Sequence, residues 1–551
     1  MTLHRRDLAE MPADSAAVGQ KLLPPTNPYR VIGTNPYRVI GDHLADLLDD
    51  AHFAALYETT GRAALSPALL ALVTLFQFME NIPDREAAEQ VVVRLDWTYA
   101  LHLPLEDTGF DYSCLCYFRR RLLEHAQERL VFEQILGKIQ ALGFITKRGK
   151  QRTDCTAVLG AVRQLSALET VTETLRLAVR ARAQAAPAWV AQELPASFVQ
   201  ASAHSRADER LSADERQAAL QQVGQDGVWL LERLAAPAPA ALQELEAVQV
   251  LRTVWEQRYE RGEGRVRVRA KTVDGTDLIV TPHDPGGRAG EKRGQQWHGD
   301  KVHVTETAEA EQPHFLTAVT TANATSGDGE ALPPIRAHLD ERAALPGEQY
   351  VDAGYVSGPQ LAQSQAAGIE VVGPPRQDTA PNHCKIADFT IDREAHRAIC
   401  PQGHASVKGS ARTERDGSRA VNIQFAAATC AACPLRAQCT TGQRGRRLPL
   451  SDHDERLAAR RGEAQTEEFW ARMRARPAIE ATLSELVRTH GLRRHRYRGE
   501  AKRPFENLLK GAACNLKRLV RALVARWERE AAATARALGC PPGVGAPPLA
   551  A

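Results

Sequence analysis

Three acidic residues of this chain lie in contexts that suit metal-dependent cleavage of a phosphodiester. Asp154 lies inside a run of residues typical of a β-strand, and Asp352 ends a second strand-like run just before Gly354. Glu480 lies at the start of a helical pattern. Carboxylates are the hard oxygen ligands that Mg²⁺ prefers, and two such ions about 3.5 to 4 Å apart can activate an attacking oxygen and stabilise a departing one. The three acids are therefore candidate ligands for two Mg²⁺ or Mn²⁺ ions, with Asp154 as the candidate bridge.

The order of these acids, on a strand, on a strand and then on a helix, indicates the fold class. It fits an α/β fold with a ribonuclease-H-like mixed sheet, and strand-like and helical runs alternate as such a sheet requires. The predicted catalytic domain covers residues 146–375 and 455–526, with a helical insertion at about 160–262. Each acid also has a structural interpretation, because a lone Asp is often a turn residue and a helical Glu is often a solvated one.

Composition and local patterns predict how the rest of the chain is divided. Its 551 residues, 43% hydrophobic and 25% charged, predict two to four domains. We expect an extended segment at 1–41, which holds an octapeptide repeated in tandem, then an N-terminal helical, DNA-binding domain at 42–145. Residues 527–551, rich in Ala, Pro and Gly, are expected to be disordered. No long apolar run or signal peptide is evident, which predicts a cytoplasmic, nucleoid-associated protein.

A cysteine-rich insertion is predicted at 376–454. Four of the ten cysteines have spacings typical of metal ligands: Cys400, Cys430, Cys433 and Cys439. Four thiolates could close a tetrahedral structural zinc site, with Cys384 and His404 as spare candidates. The alternative is a set of reduced cysteines in a loop-rich insertion, since only the second pair has the usual two-residue spacing.

A basic run follows the third acid. Residues 488–526 contain twelve Lys or Arg residues and two acidic residues, which predicts a surface that binds DNA phosphates. The alternative is a solvated helical face. The candidate DNA-binding residues of this run are Arg493, Arg494, Arg496, Tyr497, Arg498 and Lys502.

Several separate signatures resemble those of DDE-type transposases of bacterial insertion sequences, in particular the group numbered 1182. The resemblance covers about 27 to 526 and includes the contexts of Asp154 and Asp352. Its other signatures are Asn27-Pro28-Tyr29-Arg30, Asp111-Tyr112-Ser113, Lys292-Arg293-Gly294 through Trp297, and Gly491-Leu492-Arg493-Arg494 through Tyr497-Arg498-Gly499.

The resemblance implies a function and a set of partners. It implies that Asp154, Asp352 and Glu480 are catalytic, that double-stranded element ends and target DNA are the substrates, and that a homodimer forms on DNA. It also implies that Tyr497, Arg498 and Lys502 hold the phosphates of the element ends. Lys292, Arg293 and Trp297 form a second candidate DNA surface.

Two other functions remain open from the sequence. Cys155 and Ala157 stand where similar transposases commonly have serine and histidine, so the chain could be an inactive, zinc-stabilised DNA-binding protein derived from a transposase. A tyrosine recombinase is disfavoured, because its Arg and His groups come from separate elements, whereas here they are contiguous at 493–497.

Overall fold

The computed structural model divides the chain into two compact units. The first unit comprises Met1–Thr146, Cys155–Ser326 and Glu480–Ala551, and the second comprises Lys147–Asp154 and Gly327–Ile479. The residues that the structure describes are 2–3, 10–22, 35–43, 47–204, 211–235, 243–262, 265–270, 277–292, 294–376, 384–413 and 417–538.

The first unit begins with a helical region. Its described helices are α1 (Ala13–Leu22), α2 (Pro36–His43), α3 (Pro67–Glu80), α4 (Asp84–Val93), α5 (Leu95–Ala100), α6 (Ser113–Glu124) and α7 (Leu130–Ala141). Helix α3 begins as its sequence predicts, with the Ser66 side chain accepting a hydrogen bond from Leu69 N at 3.1 Å and Pro67 in the first turn. Nearly every residue of α3 is buried, so this helix is the centre of the helical core.

The N-terminal segment differs from the extended conformation predicted for it. Helices α1 and α2 lie within 1–43, and α2 is formed by the second copy of the octapeptide. The Asn35 side chain accepts a hydrogen bond from Tyr37 N at 2.9 Å, and Tyr37, Val39 and Ile40 are buried. An N-terminal cap and burial of one apolar face therefore favour a helix. The first copy, at 26–33, lies outside the described residues.

Strand β1 (Lys150–Leu159) follows, and then the predicted helical insertion. Its described elements are α8 (Ala167–Ala185), α9 (Pro187–Glu193), α10 (Ala196–His204), α11 (Ala213–Ala235), α12 (Glu246–Arg258), β2 (Tyr259–Gly262) and β3 (Arg265–Val268). A capping box between Ser166 and Glu169 starts α8. Apolar residues at three- and four-residue spacing, including Leu168, Val171 and Leu175, form a separate core for this insertion.

The apolar run Leu278–Val280, which follows the helical insertion, forms neither a helix nor a strand. Ile279 and Val280 are nevertheless buried. The Ile279 amide donates a hydrogen bond to the Gln257 side-chain oxygen at 2.9 Å, so a side chain satisfies the backbone in place of a neighbouring strand.

A mixed sheet contains β1 and five later strands. Within the first unit, β4 (Arg288–Lys292) and β6 (Leu316–Asn323) each pair antiparallel with β5 (Gln295–Thr307), and β1 also pairs with β5. The remaining two strands belong to the second unit and are parallel to β1. The prediction of an α/β fold with a mixed sheet is confirmed.

The second unit alternates helices and strands before its cysteine-bearing part. Its described elements are α13 (Leu332–Glu341), β7 (Glu348–Tyr350), α14 (Gly358–Ala366), β8 (Glu370–Val372), β9 (Thr390–Asp392), β10 (Arg397–Ile399), β11 (Lys408–Thr413), β12 (Arg419–Gln424), α15 (Ala427–Ala431), α16 (Arg436–Cys439), β13 (Arg447–Ser451), α17 (Asp454–Glu463) and α18 (Glu467–Met473). Strands β11, β12 and β13 form a small antiparallel sheet.

Two helices complete the chain, α19 (Ile479–Arg488) and α20 (Lys502–Ala537). Helix α20 packs on α3, α7 and β6 in the first unit. It continues into the segment predicted to be a disordered tail, and residues 539–551 lie outside the described part. None of the described helices is long and apolar enough to cross a membrane.

Helix α20 buries a network of charged side chains in the first unit. Glu506 and Lys510 are fully buried, and their charged atoms lie 2.6 Å apart. His495 Nε2 lies 3.0 Å from Asp300, and Arg503 Nε donates to the same carboxylate at 2.7 Å. Several cations of the predicted phosphate-binding run are therefore internal ion-pair partners.

A second cluster on α20 has the same character. The Arg518 guanidinium donates to Glu306 at 2.9 Å and to Glu485 at 2.8 Å, and Glu306 is fully buried. Because breaking such a buried pair leaves an uncompensated charge, Arg518 is a structural residue and not a free cation for DNA.

His495 gives the buried network a pH dependence. Burial favours the neutral ring, but hydrogen bonds to Asp300 and Glu506 raise its pKa overall. The stabilisation from protonated His495 is therefore present below the unfolded pKa of about 6.5 and is lost as pH rises through the folded pKa. Burial opposes ionisation of Glu506, but hydrogen bonds from His495 and Lys510 lower its pKa to about 2, so its contribution is lost only in strong acid.

We predict that His495→Gln flattens the alkaline limb of the stability profile. The unfolding free energy, measured by urea denaturation between pH 6 and pH 9, should fall less in His495→Gln than in the parent chain. His125→Gln, which changes an exposed histidine of the same unit, should retain the parental slope. Equal slopes in the parent and His495→Gln would show that His495 is not charged in the folded state.

Candidate active site

The parallel pairing of β1 with β7 brings Asp154 and Asp352 together in the second unit. The register aligns Arg152 with Tyr350. Each aspartate lies two residues beyond this aligned pair, and side chains two residues apart point to the same side of an extended chain. Asp154 is buried midway along β1, and Asp352 is half-buried just after the carboxyl end of β7.

Arg476 contacts both carboxylates. Its Nη2 donates to Asp154 Oδ2 at 2.5 Å and lies 4.0 Å from Asp352 Oδ2. The segment that carries Arg476 is fixed by Arg152, which donates to Ala475 O at 2.9 Å. One guanidinium thus supplies positive charge to two acids that would otherwise repel each other.

Buried polar contacts hold the two strands in this register. Gln349 Nε2 on β7 donates to Thr153 Oγ1 on β1 at 2.9 Å, and Arg336 on α13 donates to Gln349 Oε1 at 3.0 Å. Burial lowers the pKa of Arg336 to about 10, which leaves it charged at neutral pH. The two aspartates therefore extend from a rigid, internally hydrogen-bonded support.

A further acid, Asp328, lies beside Asp352 and was missed by the sequence analysis. A side-chain carbon at Gly354 would lie 2.7 Å from Asp328 Oδ2 and 3.0 Å from Asp352 Oδ1. Gly354 therefore leaves room between two carboxylates that a larger residue would fill. The available signal was an acid flanked by two glycines, Gly327 and Gly329.

Glu480 belongs to the first unit. It is exposed in the first turn of α19, and this helix position agrees with the sequence prediction. The structure brings Asp154 and Asp352 together within one unit, whereas the role of Glu480 as a third ligand stays a prediction.

The predicted DNA-binding residues fall into different environments. Arg493, Arg494, Arg498 and Lys502 are exposed. Arg496 donates to Ile82 O at 2.6 Å and lies over the Phe78 ring, 5.0 Å from its centroid. The four exposed side chains are accessible to a phosphate, whereas the Arg496 side chain also connects parts of the protein to each other.

The two aromatic candidates are less exposed than these cations. Tyr497 is half-buried under the Arg119 guanidinium, which lies 5.4 Å from the ring centroid. Trp297 is half-buried on β5, and Lys292 ends β4. Arg293 lies outside the described residues.

The candidate zinc ligands belong to the second unit. Cys400, Cys430 and Cys439 pack against one small apolar core together with Cys384, which the sequence suggested only as a spare ligand. Burial and a hydrogen bond with Cys384 raise the pKa of the Cys439 thiol to about 11. Arg446 N donates to Cys430 Sγ at 3.4 Å, and Cys433 N contacts Cys430 O at the same distance.

A separate group of potential ligand atoms lies in the first unit. One ligand atom each from Glu485, His490 and Cys514 lies within 4.8 Å of the others. Glu485 is already paired with Arg518, and burial raises the pKa of the Cys514 thiol to about 12. The Arg518 guanidinium thus occupies the position beside the Glu485 carboxylate where a metal ion would have to bind.

Comparisons with known proteins give matches in two separate parts of the chain. A family model described as a transposase DDE domain matches residues 399–520, and one described as a transposase domain matches residues 22–121. No curated protein and no solved structure gives a significant match. Glu480 lies within the first match, whereas Asp154 and Asp352 lie outside both. Both matched models describe transposases, and these two parts of the chain are therefore similar to DDE transposases of insertion sequences.

Proposed function

We propose that the chain is a DDE transposase that cleaves phosphodiesters at the ends of its insertion sequence and joins the freed 3′-hydroxyl to target DNA. The observation that carries this proposal is the parallel pairing of β1 with β7, which brings Asp154 on β1 close to Asp352 just after β7. Glu480 is the proposed third catalytic acid, from the resemblance to DDE transposases and its position at the start of a helix. The group numbered 1182 is the proposed subfamily.

A ribonuclease-H-like catalytic core is proposed from the strand connections. Strand β5 pairs with β6 and with β1, β1 pairs with β7, and β7 pairs with β8. Helices α13 and α14 provide the crossovers that parallel strands need. A first strand flanked by a hairpin and by parallel strands is the arrangement expected for such a core.

The carboxylates suit divalent metal ions. Asp154 and Asp352 offer hard oxygen ligands, and the space left by Gly354 lies between Asp352 and Asp328. Two Mg²⁺ or Mn²⁺ ions, when bound, would activate the attacking oxygen and neutralise charge on the phosphoryl group during cleavage. We propose Asp154, Asp352 and Glu480 as their ligands.

Substrate binding is assigned to the exposed cations. Arg493, Arg494, Arg498 and Lys502 would contact DNA phosphates and so position the strand without reading its bases. A homodimer that holds two element ends is the proposed assembly, as in the family that the sequence resembles.

The alternative is an inactive DNA-binding derivative. The Arg476 contacts favour it, because a guanidinium that permanently neutralises Asp154 and Asp352 would oppose binding of metal ions. Metal binding and DNA cleavage distinguish the two functions.

We predict that Asp154→Asn and Asp352→Asn abolish cleavage while DNA binding is retained. Metal-assisted charge stabilisation is worth several kcal/mol, so the cleavage rate should fall by about three orders of magnitude. Cleavage of duplex DNA carrying the element ends is measured with Mg²⁺ or Mn²⁺, and affinity is measured by fluorescence anisotropy.

Matched variants separate catalysis from changes of surface charge. Asp340→Asn removes an exposed acid on α13 and should cleave like the parent chain. Glu480→Gln, compared with the exposed Glu468→Gln, tests the third acid in the same way. Parental cleavage by Asp352→Asn would refute the assignment.

We predict that Arg476→Gln tightens metal binding. Its guanidinium lies within 4.0 Å of both aspartates, so a divalent cation must compete with it. The Mn²⁺ dissociation constant, measured by calorimetry, should fall about tenfold, which corresponds to about 1.4 kcal/mol. Arg474→Gln, which changes an exposed neighbour, should bind Mn²⁺ like the parent chain. Weaker binding by Arg476→Gln would show that Arg476 instead supports the site.

We propose one structural zinc ion in the cysteine-bearing part, held by Cys400, Cys430, Cys433 and Cys439. The apolar core there is small, and a metal ion commonly stabilises such a region. The Arg446 amide, which is directed at Cys430 Sγ at 3.4 Å, would stabilise a thiolate at that position and supports the site.

We predict about one Zn²⁺ per chain by elemental analysis, lost when Cys430 and Cys433 are both replaced by serine. Cys384→Ser tests whether the cysteine beside Cys439 is a ligand in place of Cys433. Cys116→Ser, which changes an exposed cysteine of the first unit, should retain the metal. A metal-free but fully folded parent chain would rule out the zinc site.

A further inference from the structure

We propose that a groove in the first unit binds an unstacked base of a DNA strand. The groove has a volume of about 680 Å³ and lies between the end of α3, the start of α4, α6 and the segment after α19. Its lining includes Pro83, Arg85, Tyr112, Cys116, Arg496 and Tyr497. The inference rests on the proposed function for the presence of DNA, but neither catalytic aspartate takes part in it.

The charges around the groove favour an anionic ligand. Asp84 is the one acid among the lining residues, and it is neutralised by an ion pair with Arg119. Because the charge of Asp84 is neutralised, Arg85 and Arg496 give the groove a net positive charge. Arg493, Arg494 and Arg498, neighbours of the groove in sequence, are exposed and could follow a phosphate backbone.

The aromatic residues offer surfaces for a planar ring. Tyr112 is 39% exposed, and the Arg85 guanidinium lies 5.0 Å from the centroid of its ring. Aromatic rings and guanidinium groups are the surfaces on which proteins stack unpaired bases. The proposed catalytic mechanism gives no role to the sequence signature Asp111-Tyr112-Ser113. Base stacking on Tyr112 would give this signature a role.

The hydroxyl of one lining residue lacks a partner. Tyr497 Oη is enclosed and has no hydrogen-bond partner among the described residues. When the Tyr497 side chain turns toward the groove, the edge of a base, which carries both donors and acceptors, would satisfy this hydroxyl, whereas an aliphatic side chain would not. A base with its attached phosphate therefore fits the rings, the hydroxyl and the charge together.

The test compares single-stranded with duplex DNA. A fluorescein-labelled dT12 oligonucleotide and a 12-base-pair duplex are titrated with the full chain and followed by anisotropy. Tyr112→Ala should raise the dissociation constant for dT12 about tenfold and leave that for the duplex within about twofold, because only the unpaired strand can place a base in the groove.

Two further variants make the test specific. Tyr117→Ala is the matched control. Tyr117 lies on α6, five residues after Tyr112, is 57% exposed and also lies under an arginine, yet it does not line the groove. It should bind both DNAs like the parent chain. Tyr497→Phe removes only the unpartnered hydroxyl, so the protein should fold normally and bind dT12 several-fold more weakly.

Each alternative result is informative. Equal effects of Tyr112→Ala and Tyr117→Ala, equal losses for dT12 and duplex, or absence of dT12 binding by the parent chain would overturn the proposal. If Asp154→Asn cleaves DNA normally but Tyr112→Ala still loses dT12 selectively, the catalytic assignment fails and the base-binding groove stands.

Discussion

The proximity of the candidate acids Asp154 and Asp352 depends on the register between β1 and β7. Parallel pairing of Arg152 with Tyr350 places Asp154, midway along β1, beside Asp352, which follows the end of β7. A shift of one residue would turn one carboxylate to the opposite side of the sheet. The buried contacts among Thr153, Gln349 and Arg336 oppose such a shift, so they position the acids without touching a substrate.

Arginine has two opposite uses in this chain. Arg503 and Arg518 are buried in ion pairs and hold α20 in the first unit, where removal of either would leave unpaired carboxylates. Arg493, Arg494 and Arg498 are exposed and available to phosphates. A count of basic residues therefore overstates the DNA-binding surface, because burial removes part of that charge from contact with a ligand.

Two kinds of evidence support the proposed transposase function, and they come from different residues. One is the set of family matches, and the other is the geometry of the two aspartates. The matches cover 22–121 and 399–520 and thus the helical region, Glu480 and the basic run. The two aspartates lie outside both, and their association comes from strand pairing. Arg476 connects these two kinds of evidence. It lies within the region matched by the transposase DDE domain model, and it contacts Asp154 and Asp352, which lie outside that region.

The sequence by itself determined the mixed α/β class, the strand that holds Asp154, the strand that Asp352 follows and the helix that begins at Glu480. These features are local, because hydrophobic periodicity, caps and turn residues act over a few residues. Local sequence patterns also gave one wrong prediction of secondary structure. The octapeptide was interpreted as extended, yet its second copy forms α2 because Tyr37, Val39 and Ile40 are buried there.

Only the tertiary structure decided which charged groups meet. Nothing in the sequence linked Arg476 to Asp154, which lies 322 residues earlier, or placed Asp328 beside Asp352. It also did not show which basic residues of 488–526 are internal. These facts depend on strand pairing and on burial, and an ion pair between distant residues leaves no periodic pattern in the chain that could be read in advance.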